Sequence, residues 1–130
     1  MAFLLDTNIV VHMRERNENI LTRFSELSVQ PHISVVTRVE LESGVYSHPE
    51  WTDSRREAVD ELLAMLPTLN FMSSMADAYG EILRQTGFSR RKIIDRMIAA
   101  TALVADLTLI TINGDDFEDI DGLKLEIWKP

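Results

Sequence analysis

Short apolar runs alternate with amphipathic stretches along this 130-residue chain. Phe3-Leu4-Leu5 has the look of a buried strand and runs into Asp6-Thr7-Asn8, residue types that favour turns and helix caps. Ile9 to Glu15 and Ile20 to Val29 show helical spacing, the second through Ile20, Leu21, Phe24 and Leu27, and Pro31 breaks it. His32 to Val36 predicts a second strand. Thr37 to Tyr46 predicts a helix in which Thr37 is the N-cap and Glu40, three residues on, completes a capping box. Beyond the loop Ser47-His48-Pro49-Glu50, Arg55 to Leu66 repeats apolar residues at Val59, Leu62, Leu63 and Leu66 before Pro67 stops the helix. Thr68 to Met72 predicts a third strand, and Ser74 to Asp77 a second capping box opening a helix through Thr86, with Gly87 just past its end.

Ile93 to Ala105 differs from the other helical stretches. Ile93, Met97, Ala100 and Val104 mark one face and Ile94, Ile98, Thr101 and Ala105 its neighbour, so this helix is apolar over most of its circumference and belongs at the centre. Leu107 to Ile112 predicts a buried strand followed by the turn-rich Asn113-Gly114-Asp115-Asp116, and Leu123 to Trp128 a last strand at an edge. Strands alternating with helices predict a three-layer α/β/α fold with a mostly parallel central sheet, as a single domain over residues 1–130.

Composition narrows the chemistry. The chain has no cysteine, which removes disulfides, thiolate metal sites and cysteine nucleophiles and suits a reducing cytoplasm. No secretion signal is expected at Met1 to Val11, and no run reaches the ~20 apolar residues of a membrane span. The formal net charge of −8, from 21 acidic against 13 basic residues, by itself disfavours nucleic acid, whose binding is driven by phosphate neutralisation.

That inference depends on where the acids lie. In an open parallel sheet the ligand crevice lies beyond the carboxyl ends of the strands. Asp6 ends the first predicted strand, the Asn113 to Asp116 turn ends the fourth, Asp95 opens the apolar helix, and Glu40 lies early in the helix after the second strand. Each acid alone has an ordinary role open to it as a cap or a solvated charge. Together they are harder to dismiss, because Asp6 and Asp95 interrupt sharply apolar segments where an unpaired carboxylate is costly. Glu40 and Glu42 are about 200° apart around a helix, so only one faces the crevice; Asp115 and Asp116 are not separated by spacing. Converging carboxylates without Cys or His suit a hard cation, Mg²⁺ or Mn²⁺, held partly through water, and such ions commonly serve phosphodiester hydrolysis.

Leu4-Leu5-Asp6-Thr7-Asn8, Ile33-Ser34 with Val39-Glu40-Leu41 and Gly44, Ile94-Asp95 with Ile98-Ala99-Ala100, Leu109-Ile110-Thr111 with Asn113 and Asp116-Phe117, and the ending Gly122-Leu123 to Trp128 together resemble the PIN domains, and within them the VapC-type ribonuclease toxins of prokaryotic toxin–antitoxin systems. The resemblance runs in order over essentially the whole chain. It implies a PIN fold, Mg²⁺- or Mn²⁺-dependent cleavage of RNA, and Asp6, Glu40 and Asp95 as metal-carrying catalytic acids. The fourth position falls on Asp116 or on Asn113; Asp116 is preferred, with Asn113 as a hydrogen-bonding partner of the site. Thr7 and Ser34 resemble hydroxyl residues that line similar sites, and Asn8 braces the loop. A homodimer and a small VapB-type antitoxin are the implied partners.

Arg90, Arg91, Lys92 and Arg96 place four basic residues within seven positions beside Asp95, a candidate rim for tracking phosphates. His12, His32 and His48 lack partners at useful spacing and read as structural, and Trp51 and Trp128 as packing anchors. The alternative function is a non-catalytic PIN-like scaffold that binds RNA or protein; intact Asp6, Glu40 and Asp95 argue against it. No glycine-rich phosphate loop supports a nucleotide-binding enzyme.

Overall fold

The computed structural model describes residues 2–130. Its strands are β1 (Phe3–Leu5), β2 (Ile33–Ser34), β3 (Thr68–Leu69), β4 (Thr108–Thr111) and β5 (Leu125–Ile127). β1 pairs in parallel with β4, Leu5 opposite Ile110, and β4 with β5, Thr111 opposite Ile127. β2 pairs in parallel with β3. A parallel bridge between Leu4 and His32 joins the two groups, with the Leu5 N–H donating to the His32 carbonyl and the His32 N–H to the Phe3 carbonyl, both at 2.9 Å. The order across the sheet is therefore β3-β2-β1-β4-β5. β5 lies at one edge, as expected.

Six α-helices cover the sheet: α1 (Thr7–Arg14), α2 (Glu18–Ser25), α3 (Val35–Tyr46), α4 (Thr52–Met65), α5 (Ser73–Thr86) and α6 (Ile93–Ala105). Alternation along the central strands builds two cores, because successive side chains of a strand point to opposite faces. Leu5 and Ile110 pack with Ile9, Val10 and Met13 of α1, Ile20 of α2, Val59 and Leu62 of α4, and Trp128. Leu4 and Leu109 pack on the other face with Ile82 of α5, Ile98, Ala99, Ala100 and Ala102 of α6, and Phe117. α3 serves both, through Leu41 and Val45 on one side and Val36 on the other. The result is the expected α/β/α layering, with α6 the most apolar helix. Among the described residues, no helix is long and apolar enough to cross a membrane.

Several boundaries differ from expectation, among them β3, which ends at Leu69, and α4, which starts at Thr52; three others have a visible cause. β2 ends at Ser34, and α3 starts at Val35 with Ser34 as its N-cap, its hydroxyl accepting the Val36 N–H at 3.0 Å. Thr37 is therefore inside the helix, and Glu40 lies a turn beyond any capping box. Burial of Val36 and Thr37 in the helical state outweighs the β-branched bias of the Val35-Val36 pair. α2 stops at Ser25 rather than Val29, its end closed by the Ser25 hydroxyl on the Thr22 carbonyl at 2.7 Å. α5 begins at Ser73 with no hydroxyl cap; the Met72 N–H meets the Met75 sulfur at 3.3 Å. Trp51 corrects a further expectation: Trp128 is buried, but Trp51 is half-exposed beside His48 and under the Arg55 guanidinium at 4.8 Å.

Candidate active site

The parallel register sets the centre of the site. Because Leu5 lies opposite Ile110, the next residues, Asp6 and Thr111, leave the sheet side by side at its carboxyl edge. Asp6 is 3% exposed. One of its oxygens accepts the Thr7 N–H at 2.8 Å, so Asp6 does cap α1. The other accepts the Thr111 hydroxyl at 2.7 Å. That hydroxyl also receives the Asn8 side-chain amide at 3.3 Å and the Asn113 N–H at 3.1 Å. Two incoming donors fill its acceptor capacity, leaving its one proton for Asp6.

Glu40 is held by a second hydroxyl pair. Thr7 Oγ1 donates to Glu40 Oε1 at 2.5 Å and stands 2.9 Å from Thr37 Oγ1. A hydroxyl has one proton, and since Thr7 gives its own to Glu40, Thr37 donates to Thr7. Glu42 faces the other way, into an ion pair with Arg56 of α4 at 2.8 Å, as helical geometry required. Asp95 lies half-buried in the first turn of α6. A single 3₁₀ turn, Gly114–Asp116, follows β4 and leaves Asp115 exposed and Asp116 partly covered.

Electrostatics shows which acids share one space. Burial pushes the Asp6 carboxyl up to about 6, the Thr111 hydrogen bond opposing it and the charges of Asp95 and Glu40 adding to it. Asp95 is also raised, by burial first, then by the charges of Asp116 and Glu40; Lys92 and Arg91 pull the other way. The charges of Asp95 and Glu40 thus reach Asp6, and those of Asp116 and Glu40 reach Asp95, and among the described residues none of the four has a Lys or Arg in an ion pair. Of the two acids in the turn, Asp116 is the one whose charge acts on Asp95.

An oxygen-only set of mutually repelling carboxylates without a cationic partner fits a hard divalent ion. Among the described residues no three of these side chains close tightly enough to enclose an ion directly, so water would complete its shell. A cleft of about 540 Å³ lies elsewhere, lined by Arg14, Trp51, Arg55, Ala58 and Glu61 among others and by none of the four acids.

Two expected substrate contacts are corrected. Ser34 is fully buried, its hydroxyl used as the α3 cap, so it cannot meet a substrate. Arg96 is likewise buried at 3% exposure, its guanidinium donating to the Gly87 carbonyl at 2.7 Å, and it leaves the rim to exposed Arg90 and Arg91 and half-buried Lys92. Thr7 lines the site, but its proton is committed to Glu40. Asn113 is exposed at the mouth of the site and contributes a backbone N–H to Thr111. Thr111 and Thr37 are the residues that sequence reasoning missed. A threonine ending an apolar strand directly across from Asp6 was the available signal for the first.

The profile of the PIN domain matches residues 3–123. The chain belongs to the PIN-domain family. Similarity extends over nearly the full length of individual relatives. The chain is 29% identical to Ribonuclease VapC2 of Haemophilus influenzae over 132 residues, 98% of each chain. It is 26% identical to the tRNA(fMet)-specific endonuclease VapC of Shigella flexneri, again over 98% of each. Among solved structures, VapBC2 from Rickettsia felis bound to a DNA fragment from their promoter superposes with a TM-score of 0.88 at 27% identity, covering 99% of this chain and 100% of that one. The site described above thus sits on a PIN fold.

Proposed function

We propose that this PIN domain is a divalent-metal-dependent endoribonuclease, the toxin of a VapBC-type toxin–antitoxin pair. The observation that carries the reading is the convergence of Asp6, Glu40, Asp95 and Asp116 at the carboxyl edge of the parallel sheet with no counter-cation. The named activities of the similar VapC proteins support RNA as the substrate, and the VapBC complex among the structural neighbours supports an antitoxin partner. The cysteine-free composition fits a cytoplasmic setting.

Asp6 and Asp95 would be the main carriers of Mg²⁺ or Mn²⁺, with Glu40 and Asp116 completing the set. When bound, the ion supplies a lowered pKa for water and charge stabilisation at the phosphate oxygens. Thr111 fixes the Asp6 carboxylate and favours its ionised form, while Thr37 and Thr7 in series fix Glu40, so these two acids are preorganised. Asn113 stands at the mouth of the site, and Arg90, Arg91 and Lys92 bring positive charge to its rim, where phosphates of an RNA strand would run. An open, acidic centre with a basic rim suits an extended polymer rather than a small enclosed substrate.

Incubating the purified chain with RNA, with Mg²⁺ and with excess chelator, tests this directly. Cleavage should require the ion and should be lost in Asp95→Asn. Cleavage that survives chelation, or that Asp95→Asn leaves intact, overturns the proposal.

A further inference from the structure

The loop between α5 and α6 carries a feature that metal-dependent cleavage leaves unexplained. Phe88 is 69% exposed, more than any other large apolar side chain among the described residues, and it joins neither core. The root of this loop is fixed. Gly87, at φ +82°, ends α5, and its carbonyl is held at 2.7 Å by the buried Arg96 guanidinium, which lies 4.0 Å from Asp119. Just beyond Phe88, Arg90–Lys92 form a 3₁₀ turn that leads into α6 and Asp95. Arg91 and Lys92 lie close enough to Asp95 to favour its ionised form. Phe88 stands seven residues before Asp95, and the two extended steps, the 3₁₀ turn and the first helical turn between them span at most about 16 Å, which tethers the ring near the acidic centre.

We infer that Phe88 stacks on a base of single-stranded RNA next to the scissile phosphate, with Arg90 and Arg91 on neighbouring backbone phosphates. The inference rests on the ribonuclease reading above. The charge of the loop selects this occupant: residues 87–92 contain three cations and no acid in a chain of net charge −8, and they border the carboxylates that would hold the ion. Aromatic rings interleaved with Arg and Lys along a backbone track are how single strands are gripped without sequence readout. A ring at a loop tip needs an unstacked base, which a duplex does not offer because each base face is covered by its neighbours in the stack. Phe88 therefore positions the strand and is not a catalytic residue.

Binding of a short fluorescent single-stranded RNA, measured by anisotropy in an Asp95→Asn background that prevents cleavage, separates the possibilities. Phe88→Ala should weaken binding about 5- to 150-fold, the range expected for loss of one stacked base, without changing the slope of log affinity against log salt. Phe88→Trp should restore binding, whereas Phe88→Leu should not. Replacing Arg90 and Arg91 by Ala should flatten the salt slope. With Asp95 present and Mg²⁺ added, the Phe88→Ala defect should fall on KM more than on kcat. Wild-type affinity in Phe88→Ala or Phe88→Leu overturns the inference. So does a Phe88→Ala chain that binds and cuts RNA normally but no longer assembles with an antitoxin, which would assign the loop to a protein interface. A parent chain that neither binds nor cuts RNA removes the ribonuclease reading as well, and is thereby told apart from a failure confined to Phe88.

Discussion

Asp6→Asn should make the metal-free protein more stable at neutral pH while removing its activity. The carboxyl of Asp6 is buried among other acids and titrates at about 6 instead of its ordinary 3.8. At about 1.36 kcal/mol per pH unit, holding it ionised costs the metal-free fold about 3 kcal/mol. The folded chain keeps this proton more tightly than the unfolded chain does. The associated stability is therefore complete below about pH 4 and is lost as the pH rises through 6. Asparagine escapes the cost but weakens the contact with Thr111, whose hydroxyl already receives two other donors, a loss of about 1 kcal/mol. The net gain is about 1–2 kcal/mol at pH 7.5. With an unfolding entropy of about 2.1 cal/mol/K per residue, that raises Tm by about 4–7 °C. Thermal melts of both proteins in chelator from pH 4 to pH 8 are the assay. The gap should be small or reversed at pH 4 and open between pH 5 and 7, and added Mg²⁺ should raise Tm in the parent alone. A gap independent of pH, or a variant no more stable than the parent at pH 7.5, would refute the electrostatic account of the site.

Further expectations concern the residues around that carboxylate. Thr111→Val removes the donor to Asp6 and strands the Asn8 and Asn113 donors, so it should cost about 1–3 kcal/mol in denaturant melts and move the acid limb of the cleavage pH profile upward; an unshifted profile would show that Thr111 acts only structurally. Glu40→Gln should lower cleavage by at least an order of magnitude, whereas Glu42→Gln, which loses only a partly exposed pair with Arg56, should leave kinetics near the parent and stability within about 1 kcal/mol. Equal effects of the two would contradict the assigned orientation of α3. Trp128→Ala should cost about 3–5 kcal/mol because its ring is fully buried, while Trp51→Ala should cost far less; chemical denaturation of both variants compares them.

Much of this architecture was legible because its signals were local. The apolar circumference of α6 marked it as central and its bounds were read correctly, and the run Phe3-Leu4-Leu5 ending in Asp6 placed a carboxylate at the sheet edge. Helical angle allowed only one of Glu40 and Glu42 to face the crevice, and the family resemblance pointed to Glu40. What escaped depends on contacts distant in sequence. Ser34 and Thr37 are both plausible helix caps three residues apart, and only burial of Val36 and Thr37 decides between them. Arg96 looks like its basic neighbours, yet packing turns it inward to Gly87. Thr111 gains its role from Asp6, 105 residues away, a pairing that no short motif encodes. Asp115 and Asp116 are equivalent in spacing; the resemblance favoured Asp116, and of the two it is Asp116 whose charge acts on Asp95.

Asp6, Glu40, Asp95 and Asp116 are proposed to hold, together, the ion that cuts RNA. Calorimetric titration of Mn²⁺ into the parent and into Asp6→Asn, Glu40→Gln, Asp95→Asn and Asp116→Asn, with RNA cleavage measured on the same samples, tests it most directly. Mn²⁺ affinity and cleavage should fall together, most steeply for Asp6→Asn and Asp95→Asn, while Asp115→Asn stays near the parent in both. Parent-like Mn²⁺ binding in the Asp6 and Asp95 variants, or RNA cleavage by a parent chain that binds no Mn²⁺, would contradict it.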